Sequence, residues 1–144
     1  MKLIAIAVAT ALLAPVWSEK DLDPPRTVQF EGAQFDLVTG RNLGSMLLGH
    51  SMQATPCNDS SQCIEAFFER GQYSRSEDRG VIHGTYALQH DRYCAGWDDY
   101  RFCAAVYQSK DGRLATTNLK CGPPCLTLVK RRDESGPSEF TPSS

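Results

Sequence analysis

From Cys63 onward, apolar and polar residues alternate with a period of two, and turn residues recur at short intervals. This is the pattern of an antiparallel meander. Segments 64–69 and 72–76 flank Arg70-Gly71, and 80–88 precedes a turn at His90-Asp91. Segments 91–97 and 100–108 flank Asp98-Asp99, Lys110-Asp111-Gly112 turns the chain into 113–118, and 126–129 supplies a seventh strand. Earlier in the chain one stretch has helical spacing. Over 42–48, Leu43, Met46 and Leu47 share a face, with Asn42 placed to cap and Gly49 to terminate. The expected fold is all-β: an antiparallel meander of six to seven strands, curled or partly closed into a small barrel, with one short N-terminal helix.

The same alternation assigns faces. Ile82, Tyr86, Leu88, Tyr93, Ala95, Trp97, Tyr100, Phe102, Ala104 and Val106 fall on one side and predict the buried face. His83, Thr85, Arg92, Cys94, Arg101, Cys103 and Tyr107 fall on the other and predict a half-wet surface.

The start of the chain breaks the alternation. Lys2 and the apolar run from Leu3 to Ala14 read as a secretory signal, 1–18, cleaved after Ser18. The run is shorter than the roughly 20 residues that span a bilayer, so no stable membrane insertion is expected after cleavage. Removing 18 of the 144 residues leaves 126, and losing Lys2 moves the formal charge from −2 to −3. Segment 19–26, charged and carrying Pro24-Pro25, predicts a disordered leader, and 131–144 a disordered tail. Between them, 27–130 is the expected disulfide-stabilised β domain. Its size excludes a dehydrogenase, a kinase or a TIM barrel. A mildly acidic balance without a basic stripe argues against nucleic acid, and Lys130-Arg131-Arg132, followed by Asp133-Glu134, reads as a solvated tail.

Export gives the cysteines a meaning. Cys57, Cys63, Cys94, Cys103, Cys121 and Cys125 form an even set, which predicts disulfides in an oxidising, periplasmic or secreted, setting. A two-residue turn at Asp98-Asp99 sets Cys94 opposite Cys103 at a non-hydrogen-bonded site, where Cα atoms approach to about 4.5 Å. Cys57 with Cys63, and Cys121 with Cys125, follow as loop staples. The Cys121-Gly122-Pro123-Pro124-Cys125 run has three intervening residues where a redox motif has two, and no thioredoxin-like alternation surrounds it.

No catalytic set converges. Gly49-His50-Ser51-Met52-Gln53 misses the G-x-S-x-G pattern at its last position and follows a helix where a strand is required. His50 reads as a helix-end residue at the negative end of the dipole. The three histidines, His50, His83 and His90, lack ligand spacing, so neither metal nor cofactor is expected. Two groups are candidates for binding. His83, Arg92 and Arg101, with Thr85, would receive an anion or acidic partner, unless they form an ordinary solvated face. Tyr86, Trp97 and Phe102, with Tyr93 and Tyr100, would line a cavity for a small apolar ligand, unless they simply fill the barrel.

Five short runs share a further pattern: 67–73 (Phe-Phe-Glu-Arg-Gly-Gln-Tyr), Gly84-Thr85-Tyr86, Tyr93-Cys94, Phe102-Cys103 and Asp111-Gly112. Together they resemble small exported β domains of Gram-negative bacteria, many without an assigned function. The resemblance spans about half of the mature chain. It implies an antiparallel β domain in the periplasm and carries no catalytic residue over. The extra pairs Cys57 with Cys63 and Cys121 with Cys125 depart from the plainest form of the pattern. The expected function is a non-enzymatic binding or interaction domain whose partner is a protein or a small apolar ligand. The alternative is a small exported hydrolase, or a thiol–disulfide oxidoreductase using Cys121 and Cys125.

Overall fold

Ten strands and one short helix form from residues 21–54, 63–78 and 80–133, the parts of the chain that the computed structural model describes. The strands are β1 (Thr27–Phe30), β2 (Ala33–Leu37), β3 (His50–Ala54), β4 (Cys63–Phe67), β5 (Gln72–Glu77), β6 (Gly80–Leu88), β7 (Tyr93–Trp97), β8 (Tyr100–Ser109), β9 (Leu114–Asn118) and β10 (Thr127–Asp133). The helix, α1, is Gly40–Leu47. The expected signal, Cys57 and residues 134–144 lie outside the described residues.

Strands β3 to β9 pair antiparallel in chain order, and β10 inserts between β9 and β3 to close an eight-stranded barrel. Closure hides the apolar faces and pairs the edges in one step. The hairpin of β1 and β2 lies outside the ring. It turns through Glu31 and Gly32, both at positive φ (53° and 75°), the left-handed pair a two-residue hairpin favours. Strand β2 then pairs with the far half of β8, Leu37 opposite Tyr107. The all-β barrel is as expected, but the ring is complete with eight strands, and the whole sheet has ten where six to seven were predicted. The seven expected strands all form. The three additional ones, β1 to β3, are four or five residues long, and so short a run shows little alternation.

Apolar side chains form two layers. Inside the ring, Phe67, Tyr73, Tyr93, Phe102 and Val106 pack together, and Leu43, Met46 and Leu47 of α1 plug one end. Outside, Phe35 of β2 covers Ala105, Tyr107 and Ala115, with Leu119 and Leu126. Tyr107, expected on the half-wet face, is therefore fully buried, because the β1–β2 hairpin covers it. Two residues expected on the buried face are exposed, Leu88 at 43% and Tyr100 at 46%; each ends a strand at a barrel rim, where the interior opens.

Local ends differ from the sequence reading in three places. Helix α1 starts at Gly40, not Asn42, after an extended Thr39, and the Gly40 N–H donates to His90 O at 2.6 Å. The described part of the leader, 21–26, has no regular element but is tied down: Leu22 N donates to Leu119 O at 2.8 Å and the Tyr107 hydroxyl to Pro25 O at 2.8 Å. Lys130, Arg131 and Arg132 belong to β10, where Arg131 faces Met52, so that basic cluster is in a barrel strand and not in a tail.

Cys94 and Cys103 are bridged in direct register with Cα atoms 4.0 Å apart, as the turn arithmetic predicts. Cys121 is bridged to Cys125. Cys63 is disulfide-bonded as well, while Cys57, its expected partner, is outside the described residues. These bridges fit an oxidising environment. Among the described residues, no helix is long and apolar enough to cross a membrane.

Gly84 sits on the inward face of β6, where a Cβ would lie 2.1 Å from Gly96 O and 3.2 Å from Trp97 Cβ. Because the first obstacle is backbone, Gly84→Ala must separate β6 from β7. It is expected to lower unfolding stability by at least about 3 kcal/mol in a urea titration, whereas Thr85→Ala on the exposed face changes it by less than about 0.5 kcal/mol.

Candidate functional site

The end of the barrel opposite α1 is open. A cavity of about 600 Å³ enters there, and its walls come from seven of the eight barrel strands, all but β6. Three walls differ in chemistry. Tyr93, Tyr100 and Phe102 of β7 and β8 form an aromatic wall; Thr116, Asn118 and Thr127 of β9 and β10 form a hydroxyl and amide wall; Glu65 and Arg75 of β4 and β5 form a charged one. Lys120 and the loop stapled by Cys121 and Cys125 make the rim. That loop is also pinned by side chains. Asn118 Oδ1 accepts from Lys120 N at 2.9 Å, the Thr117 hydroxyl donates to Gly122 O, and the Thr127 hydroxyl donates to Cys125 O at 3.3 Å.

Glu65 and Arg75 are directly opposite in the β4–β5 ladder, both on the inward parity set by Phe67 and Tyr73. Their side chains are only 12% and 13% exposed, so the carboxylate requires strong partners. It has them. The Tyr73 hydroxyl donates to Oε2 at 2.5 Å, the Tyr93 hydroxyl to Oε1 at 2.9 Å, and Arg75 Nη1 stands 3.8 Å from Oε2. Arg75 Nε also donates to Glu77 Oε2 at 2.6 Å. Burial opposes the guanidinium charge, but the Glu77 hydrogen bond and the field of Glu65 outweigh it and raise its pKa. Burial, then the Glu65 charge, pushes both phenols well above the ordinary tyrosine value.

Two of the five aromatic residues expected to line a cavity are packed on neighbouring rings. Trp97 stacks on Tyr73 with ring centroids 6.1 Å apart, and Tyr86 meets Phe67 edge-on at 5.2 Å while its hydroxyl donates to Phe68 O at 3.0 Å. Tyr93, Tyr100 and Phe102, by contrast, are part of the cavity wall. On the outer face, Arg92 and Arg101 share a shallow cleft of about 730 Å³ with Thr85, Cys94 and Cys103, but His83 lies outside it, opposite Ser74. Arg92 is engaged by Asp91 at 2.9 Å and Asp23 at 3.4 Å. His50 opens β3, its Nδ1 2.9 Å from Leu48 O, and Ser51 is buried on that strand. Sequence reasoning missed Glu65, Arg75, Thr116 and Asn118. The available signal was two opposite charges on the inward parity of neighbouring strands.

Comparison of the chain with known protein families, with curated proteins and with solved structures finds no match in any of the three. The functional reading therefore rests on geometry.

The two phenols make stability sensitive to alkali. Their folded pKa values lie above the unfolded value of 10.0, so the unfolded chain releases protons first and stability falls as pH rises through that value. Tyr107, raised by burial to about 12, acts in the same direction. Urea unfolding is expected to show no contribution from these groups below pH 9 and a decline from about pH 10 upward. Tyr93→Phe should make the decline shallower.

Proposed function

We propose that this protein is a non-enzymatic binding domain that takes a small ligand into the open end of its barrel. The observation that carries this reading is the cavity itself, to which seven barrel strands contribute inward-facing residues. A volume of about 600 Å³ lies within the range of small-molecule sites, about 300–1,000 Å³, and convergent polar groups beside an apolar wall are their usual composition. The asymmetry of the barrel supports the same reading: α1 fills one end with Leu43, Met46 and Leu47, while the other end is kept open on a pinned rim. The disulfides and the N-terminal apolar run support a site of action outside the cytoplasm, in the periplasm or the secreted fraction. The Cys121–Cys125 bridge serves as a rim staple on this account and not as an electron carrier.

Thr116 faces the cavity from β9 and is only partly buried. In native mass spectrometry of protein purified from its own compartment, the wild-type chain should carry an added small mass, and Thr116→Trp, which fills the space, should be bare. Equal spectra for the two proteins would refute the cavity as the binding site.

A further inference from the structure

Resting on the cavity reading above, we infer that the ligand is a neutral saccharide, with one face of a sugar ring on the aromatic wall and its hydroxyls on the opposite wall. The charges at the site point to neutrality. Glu65, Arg75, Glu77 and Lys120 cancel formally, and the first three are already joined to one another in the wall. Beyond Lys120, which stands at the rim, an ionic ligand would carry its charge into the interior past no unengaged opposite charge among the described residues.

The aromatic wall calls for an apolar surface. Tyr100 stands 46% exposed at the mouth, its ring backed by Trp97 at 4.9 Å and Phe102 at 6.0 Å. The negative face of such a ring attracts the slightly positive C–H bonds of one sugar face. The facing wall calls for hydroxyls. Among the described residues, the Thr116 hydroxyl and the Asn118 Nδ2 group have no hydrogen-bond partner, and the Thr127 hydroxyl, which donates to Cys125 O, keeps its acceptor lone pairs. Donors and acceptors thus stand side by side, as groups that must both give and receive a hydrogen bond require. A wholly apolar ligand would strip water from this wall and replace nothing, a cost of about 1–3 kcal/mol for each polar group. A sugar ring is neutral, apolar on its face and hydroxylated around its edge, and so satisfies all three walls.

The test is a heteronuclear NMR titration of the oxidised mature chain with cellobiose and N,N′-diacetylchitobiose, run beside octanoate and benzylammonium. At least one saccharide should give saturable shifts at the amides of Tyr100, Phe102 and Asn118. Tyr100→Ala, at an exposed position, and Asn118→Asp, which keeps the Oδ1 acceptor for Lys120 N and removes the donors, should each weaken binding roughly tenfold. Backbone spectra of the two variants show whether the barrel is intact. Saccharide binding that is unchanged in both folded variants would overturn the inference. Shifts at the same amides from octanoate or benzylammonium, with none from either saccharide, would overturn the saccharide class and leave the cavity reading standing. Silence from all four probes, together with a bare wild-type mass, would overturn both.

Discussion

One strand holds the molecule in its shape. The ten residues of Tyr100–Ser109 pair with β7 along one half of an edge and with β2 along the other half, while the opposite edge carries β9. The middle of β8 is buried on both faces: Phe102, Ala104 and Val106 look into the barrel, and Ala105 and Tyr107 look out beneath the β1–β2 hairpin. A strand packed on both faces follows a near-continuous apolar run, and Phe102 to Tyr107 is one. The cavity depends on it too, since Tyr100 and Phe102 are the wall against which the rest of the mouth is set.

The barrel interior divides by chemistry along its axis. Beside the α1 plug the filling is apolar and aromatic, with Phe67 meeting Tyr73, Tyr86 and Tyr93 edge-on at 5.0 to 5.6 Å, pairs worth roughly 0.5–1.5 kcal/mol each. Toward the mouth the same strands present Glu65 and Arg75. The phenols of Tyr73 and Tyr93 join the two zones, with their rings in the apolar layer and their hydroxyls on the carboxylate. Satisfied in this way, a buried polar group fixes geometry where an apolar core alone would tolerate several packings.

What the sequence disclosed, and what it hid, follows from the range of the interactions. The β7–β8 hairpin and its disulfide were legible because a two-residue turn fixes register locally, down to the pairing of Cys94 with Cys103. Tyr107 was misplaced because its cover, Phe35, comes from a hairpin about seventy residues earlier, and alternation carries no information on what lies over a face. The candidate site was largely hidden for the same reason. Asn118 and Glu65 belong to the cavity only once β10 has closed the ring, and neither residue type announces a site in isolation. The inward parity of Glu65 and Arg75 was readable strand by strand, yet their pairing needed the ladder.

The position of β10 governs the order in which this chain can acquire its structure. Among the described strands it is the last in chain order, and it sits between β9, its near neighbour in sequence, and β3, more than seventy residues earlier. Until Arg131 reaches Met52, two strand edges stay unpaired and the interior stays wet. Non-local pairing of this kind makes folding slow, and the open intermediate is the species exposed to aggregation.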